Sequence, residues 1–346
     1  MALSHLPAEA THSEDPAATA PRHHGLRRFI GFRLLAGLGT VLFVLLFNFF
    51  LFRLLPGDPA ARYRAVKNIS AEDLARIRSE LDAPVAEQFW AYLSDPLALN
   101  GISAWKGQPV WDLIGGRAWP TLVLLGTSTL FATVIGVRVG IRAGWRRGGT
   151  YDKVSTAVTL LFYATPEFWL GLLLILLFSS GLGPFPALFP SGGVIDSGLD
   201  PLSLDGVLSI AEHTVLPATA LGVVYLAEYS LIMRASIVDE QSQEYLTTAR
   251  AKGLMDHVVR RRHAVPNAAL PTITLIFLNI GFIIGGAITV ETVFSYPGLG
   301  LLTFEAVTEQ DFVLMQALFL VFTLSVIVFN LVADVVIAML DPRIRE

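Results

Sequence analysis

Stretches of apolar residues, each close to the length needed to cross a hydrocarbon core, recur along this chain at Leu34–Phe52, Thr121–Ile141, Val154–Ser180, Thr214–Met233, Pro271–Val293 and Phe312–Leu340. A bilayer interior of about 30 Å takes roughly 20 helical residues. In lipid every backbone polar group must be paired within the segment or in a closed barrel. The stretches mix helix formers with β-branched residues and lack the period-2 alternation of barrel strands, so they read as helices. Hydrophobic residues make up 53% of the chain and charged residues 16%, a balance that water-soluble domains of this length rarely carry. The expected fold is an all-α membrane protein with six transmembrane helices.

Basic residues orient these spans. Arg22, Arg27, Arg28 and Arg33 precede the first span, and Arg142, Arg146, Arg147 and Lys153 lie between the second and third. Arg234, Arg250, Lys252 and Arg260 to Arg262 follow the fourth, and Arg343 and Arg345 follow the sixth. The loops Gly181–His213 and Phe294–Asp311 contain no Lys or Arg. The positive-inside rule then places both termini in the cytoplasm. The loop over residues 56–118 does carry Arg and Lys, but loops that long escape the rule. Residues 1–26, rich in Ala, Pro, Thr and His, are expected to be a disordered cytoplasmic tail. Residues 27–346 then form one membrane domain, and the first span is retained as an anchor, because its apolar region starts too late and runs too long for a cleaved signal.

Enzyme chemistry finds little support. Cysteine is absent, which removes thiolate catalysis, disulfides and Cys-ligated metals. His213, His257 and His263 are isolated and form no i,i+4 pair, so no metal site is expected. The glycine-rich pieces Gly37-Leu-Gly39 and Gly298-Leu-Gly300 lack the lysine of a phosphate-binding loop. No catalytic residue and no cofactor is expected on this chain, and no nucleic-acid partner.

One polar loop stands apart. Residues 234–270 separate the fourth and fifth spans and contain Glu244-Tyr-Leu-Thr-Thr-Ala-Arg-Ala-Lys-Gly253, then Arg260-Arg261-Arg262, then His263-Ala-Val-Pro266. Ala249 and Ala251 permit close helix packing, Gly253 permits a turn, and Arg250 and Lys252 supply charge. Taken alone, the segment also fits an ordinary cytoplasmic loop made basic by topology. The outer loop, residues 56–118, reads as structured. Ser70-Ala-Glu-Asp73 is a helix N-cap pattern, followed by Leu74, Ile77 and Leu81 on one face. A second helix over Val85–Leu93 carries Phe89, Trp90 and Tyr92. These aromatics fit either an interfacial belt or a docking platform for an extracytoplasmic protein.

Charges within the spans divide by depth. Arg138, Glu228 and Asp334 fall in the cytoplasmic third, where snorkelling or pairing suffices, and Glu291 lies at the outer end of the fifth span. Glu167 sits mid-span after Pro166, which weakens the local hydrogen-bond ladder. It either lines a solute path, with Phe168 and Trp169, or bonds to a neighbouring helix. Gly281, Gly285 and Gly286 offer a small-residue packing face.

Taken in order, the motifs resemble the permeases of the dipeptide/oligopeptide/nickel family of ABC importers, specifically the B-type subunit. Arg53-Leu-Leu-Pro-Gly-Asp-Pro59 closes the first span, Pro166-Glu-Phe-Trp-Leu-Gly171 is similar to the third-helix motif, and Leu216-Pro-Ala-Thr219 opens the fourth. Met233-Arg-Ala-Ser236, Asn267-Ala-Ala-Leu-Pro271, Glu291-Thr-Val-Phe-Ser-Tyr-Pro-Gly-Leu-Gly300 and Leu340-Asp-Pro-Arg-Ile-Arg345 continue the likeness. Gly253, nine residues and then His-x-Val-Pro match the spacing of the family's coupling loop. Thr247-Thr248-Ala249 stands for its Glu-Ala-Ala, and His263 for an apolar residue. The long outer loop favours the B type over its C-type partner.

The resemblance implies a type I importer permease in the bacterial inner membrane that forms half of a solute pathway. Its implied partners are a C-type permease, two ATPase subunits or domains carrying ATP and Mg, an extracytoplasmic binding protein and the bilayer. Glu244, Tyr245, Thr247, Thr248, Ala249, Arg250, Ala251, Lys252, Gly253 and His263 would contact the ATPase. The solute would be a peptide or another small polar molecule. A secondary transporter would instead need coupling-ion sites in an internal repeat, and no repeat is present. A structural scaffold would leave the polar loop unexplained.

Overall fold

The structure, a computed structural model, describes residues 24–54, 72, 75, 79, 82–94, 101–181 and 186–340. Its helices are α1 (His24–Leu54), α2 (Val85–Ser94), α3 (Val110–Trp145), α4 (Thr150–Tyr163), α5 (Glu167–Phe178), α6 (Leu204–Glu240) and α7 (Glu244–Ala251). The turn α8 (Asp256–Val258) runs through a π-helical stretch, Val259–Ala264, into α9 (Val265–Val293), and α10 (Leu299–Thr308) and α11 (Phe312–Leu340) complete the chain. Among the described residues there is no strand, only an isolated bridge between Ile102 and Pro109. Five helices are singly long and apolar enough to cross a membrane, and the pair α4 and α5 makes a sixth crossing if counted as one broken span.

The most extensive helix contact joins α3 and α6, and small residues create it. On α3, Ser128, Ala132, Gly136, Gly140 and Gly144 recur every fourth residue and are all buried, forming one ridge. A Cβ built on Gly136 would lie 2.6 Å from the Leu226 carbonyl oxygen, and one on Gly140 would lie 2.6 Å from that of Ser230. One on Gly144 would lie 2.8 Å from that of Arg234. The obstacles are backbone atoms, so the two helices meet main chain to main chain, as small residues allow in membranes. The surroundings of Gly281, Gly285 and Gly286 lie outside the described residues.

Both helices outrun the bilayer. At 36 and 37 residues they extend for about 55 Å, against a hydrocarbon thickness of about 30 Å. The helices run past the loop boundaries read from sequence: α3 begins at Val110, within the outer loop assigned to 56–118, and α6 continues to Glu240, within the loop assigned to 234–270. Apolarity marks the membrane-embedded part of a helix and is silent about its polar extensions. Likewise α1 begins at His24, within the segment read as tail, and the helix expected from Ser70 to Leu81 falls largely outside the described residues.

The third span is broken, not merely weakened. Pro166 takes extended angles (φ −62°, ψ 136°), and α4 and α5 meet at 100°. Pro120, Pro217 and Pro271 sit inside continuous helices.

At one end of the bundle, buried carboxylates hold the corners. Glu291, at the end of α9, accepts from Thr121 Oγ1 at 2.7 Å and from the Leu301 N–H at 3.0 Å, placing negative charge at the start of α10, where the helix dipole favours it. Gly298 fits because a Cβ there would fall 2.4 Å from both Glu291 oxygens. Asp311 accepts from Ser103 Oγ at 2.5 Å, Trp105 N–H at 3.2 Å and Leu314 N–H at 3.2 Å. It thereby ties the segment before α3 to the start of α11.

The glycine ridge makes a direct prediction. Gly140→Ala should lower the thermal unfolding midpoint in detergent by several degrees, since overfilling a packed contact costs about 1–3 kcal/mol. Gly126→Ala, with open space around the added carbon, should unfold at or above the wild-type temperature. Equal midpoints for the two variants would contradict main-chain contact between α3 and α6.

Candidate functional site

The polar loop folds into a compact unit on the ends of α3 and α6. Leu246 and Ala249, three apart on α7, turn inward onto Val259 and Ala264, with Trp145 at the end of α3 packed against them. Gly253 takes φ +80°, a left-handed conformation that glycine adopts freely. It reverses the chain between α7 and α8, and its N–H donates to the Arg250 carbonyl at 2.9 Å. The π-helical stretch just before Pro266 is the local answer to a residue without an N–H, whose ring also crowds the carbonyl four residues back.

Three polar links fasten this unit to the long helices. Trp145 Nε1 donates to Asp256 Oδ2 at 2.7 Å, and Gln241 Nε2 donates to the Gly144 carbonyl at 3.0 Å. The Tyr245 hydroxyl donates to Glu240, accepts from Asn267 Nδ2 at 2.9 Å and lies 3.2 Å from the His263 carbonyl. Burial first, and then the Glu240 carboxylate, push the Tyr245 phenol above its usual range. Nearby, Arg234 on α6 forks onto Asp152 on α4, Nε to Oδ1 at 2.5 Å and Nη2 to Oδ2 at 2.9 Å. Asp152 also accepts from the Gly148 N–H at 2.8 Å. The α3–α4 turn, α6 and the polar loop are thus one connected body.

All ten loop residues named from sequence come together here, with different roles. Ala249 is buried within the unit, and His263 is half-buried in the π-helical stretch. Glu244, Tyr245, Thr247, Thr248, Arg250, Ala251, Lys252 and Gly253 are exposed. The sequence reading missed Leu254 and Met255, apolar residues exposed at the tip (Met255 at 65%), and it missed Trp145 and Asp256 as the clamp. An apolar pair directly after the turn glycine of a polar loop was the available signal for the first two. A clamp spanning more than a hundred residues has no local signal.

The other named residues are dispersed. Phe168 and Trp169 are exposed on α5, and Glu167 is partly buried at its first position. Tyr92 is buried beside Leu45, Phe49 and Leu320, and its hydroxyl accepts from Asn48 Nδ2 at 3.3 Å. Phe89 stacks edge-on against Phe49, with centroids 5.3 Å apart. Only Trp90 of the three, 66% exposed, presents most of its surface outward. Among the intramembrane charges, Asp334 pairs with Arg33 at 3.0 Å, Glu228 accepts from Asn279 at 2.7 Å, and Arg138 donates to its own helix at Val134. Among the described residues no three His, Asp or Glu side chains are placed to hold a metal ion.

Residues 136–346 match the family described as binding-protein-dependent transport system inner membrane component, and residues 26–107 match the N-terminal region described for such components. The chain belongs to this family. It is a permease subunit of a binding-protein-dependent ABC importer, a multi-pass protein of the bacterial inner membrane. The permease is 38% identical over 315 residues to the glutathione transport system permease protein GsiC of Escherichia coli strain K12, covering 90% of this chain and 97% of that one. It is 36% identical over 316 residues to GsiC of Salmonella choleraesuis, with the same coverage. In fold it resembles the MetNI methionine ABC transporter in an inward-facing conformation, at a TM-score of 0.52 and 16% identity over 66% of this chain and 96% of that one.

The clamp on the permease's polar loop is testable by proteolysis. Trp145→Phe keeps the ring and removes the donor to Asp256. Tryptic cleavage after Arg250 or Lys252 should then quicken about three- to tenfold, the range expected for losing a hydrogen bond to a carboxylate at a partly exposed site. Cleavage at the wild-type rate would show that the clamp does not hold the loop.

Proposed function

We propose that this permease forms half of the pathway for a peptide-like solute and that the unit Glu244–His263 receives the motion of an ATPase. The observation that carries the solute class is similarity running over 97% of a glutathione permease's length. In this reading the chain crosses the membrane six times with both termini in the cytoplasm, and residues 1–26 form a tail there. A C-type permease completes the pathway. Two ATPase subunits or domains bind ATP and Mg and carry out hydrolysis, and this chain binds no cofactor. An extracytoplasmic binding protein delivers the solute.

The contact with the ATPase is made by Glu244, Tyr245, Thr247, Thr248, Arg250, Ala251, Lys252 and Gly253, with Leu254 and Met255 at the tip. Ala249 and His263 act from inside by holding the unit's shape. A clamped unit suits this role, because a soft loop would absorb the displacement it has to pass on. ATP binding draws the ATPases together, the unit moves as a body, and α3 and α6 carry the motion through the membrane along their ridge. Access then alternates between the two sides. Glu167, Phe168 and Trp169 line the solute path where the third span is broken, since irregular backbone at membrane depth is tolerated where it borders a cavity or protein.

Two outcomes test this reading. Gly253→Pro forces φ near −65° onto a residue at +80°. Solute uptake and solute-stimulated ATPase activity in reconstituted vesicles should fall together, at least about tenfold, with membrane insertion intact. Unchanged uptake would sink the coupling assignment. At the other end, Trp90→Ser should weaken capture of the loaded binding protein in a pull-down, while Phe89→Ser and Tyr92→Ser should act through lower stability. Full capture by the Trp90 variant would remove α2 from the docking surface.

A further inference from the structure

A second set of polar side chains lies inside the bundle, apart from the polar loop. Glu167 opens α5 where the third segment turns by 100°. On α6, Tyr225, Glu228 and Tyr229 stand at i, i+3 and i+4, on one face of the helix. The rings of Tyr225 and Tyr229 are 6.4 Å apart. The helix that Glu167 opens, α5, packs against α6, which brings the carboxyl group of α5 to the side of the bundle that holds the polar face of α6. From α9, Asn279 Nδ2 donates to Glu228 Oε2 at 2.7 Å.

The occupancy of these groups is unbalanced. Among the described residues neither Glu167 nor Glu228 forms an ion pair, and Glu167 accepts no hydrogen bond. Tyr229 is 0% exposed, yet its hydroxyl has no hydrogen-bond partner. Asn279 lies near that hydroxyl and gives one of its two amide N–H groups to the Glu228 carboxylate. Native proteins leave few buried polar groups unpaired, and a carboxylate at membrane depth that is neither paired nor facing water is disfavoured. The cluster therefore offers two carboxyl groups, phenol oxygens and an amide oxygen, with no cation of its own among the described residues. A primary ammonium is its chemical complement: it brings three N–H donors, one positive charge and an affinity for aromatic faces. A carboxylate group entering the same space would be repelled.

We infer that Glu167, Tyr225, Glu228, Tyr229 and Asn279 form a membrane-embedded subsite for the free ammonium group of a peptide-like solute. This rests on Glu167 lining the solute path. It adds that the permease itself, and not only the binding protein, selects for an amine. The competing role is a helix clamp, in which Glu228 and Asn279 join α6 to α9 and no solute is touched.

The importer, reconstituted with its partner permease, ATPases and binding protein, decides between these roles. Two peptides of equal length are used, one with a free α-ammonium and one N-acetylated, both first shown to load the binding protein. In the wild type the maximal ATP-driven uptake rate should favour the free amine by about tenfold, the scale set by one buried acceptor left without its donor. In the double variant Glu167→Gln, Glu228→Gln that ratio should fall to within about twofold, and Tyr229→Phe alone should lower it severalfold. A ratio near one in the wild type, or a ratio unchanged in both variants, overturns the subsite. Should the double variant fail to co-purify with the ATPase, the Tyr229→Phe ratio decides alone. If the wild type moves neither peptide, the peptide-like solute class fails and the subsite falls with it. Uptake of the acetylated peptide alone would overturn the subsite and leave that class standing.

Discussion

The close approach of α3 and α6 along Gly136, Gly140 and Gly144 is the constraint on which the remaining geometry depends. Lipid is as apolar as a leucine side chain, so burial of apolar surface gives membrane helices little reason to associate. What remains is packing and hydrogen bonding, and both need proximity. The α3 ridge supplies it by bringing main chain to within about van der Waals distance of main chain, leaving no room even for a methyl group. With these two helices aligned, Trp145 and Gly144 at one end of α3 reach the polar loop. Toward the other end, Thr121 reaches Glu291 and the start of α10.

The two ends of this pair are built differently. At the Glu291 end, buried carboxylates and glycines make tight corners: Glu291 with Gly298, and Asp311 with Ser103. At the polar-loop end, Trp145 on Asp256 stands partly in solvent, and the buried Asp152 is covered by a partly exposed Arg234. Buried corners of the first kind resist rearrangement, because opening them would strand a carboxylate without partners. Exposed links of the second kind cost less to shift as a group. The Glu291 end therefore suits a fixed frame, and the polar-loop unit suits a body that shifts as a whole.

Much of this was legible in the residues themselves. The spans followed from apolar length, and the turn in the polar loop followed from Gly253, whose positive φ is the conformation that glycine was expected to allow. The order of short motifs pointed to the permease family. Three things were hidden for physical reasons. Helix ends that leave the membrane are polar, so hydropathy cut α3 short at Thr121 and α6 short at Met233. Proline alone does not break a helix: Pro120, Pro217 and Pro271 are accommodated, while Pro166 is not, and the difference lies in tertiary surroundings that a single chain of letters does not show. Tyr92 looked like a surface aromatic because its burial depends on Asn48 and Leu320, far away in sequence.

The central claim is that the polar loop moves with α3 as a rigid body. The chain contains no cysteine, so cysteines introduced at the exposed positions Arg147 and His257 are the only two that this subunit offers to a spin label. The distance between them, measured by pulsed electron resonance in the assembled importer with and without trapped nucleotide, reports on the clamp directly. A rigid unit predicts that the distance distribution keeps its mean to within about 2 Å, the scale of ordinary helix shifts. A nucleotide-dependent change well beyond that, or a broad distribution in both states, would contradict the account.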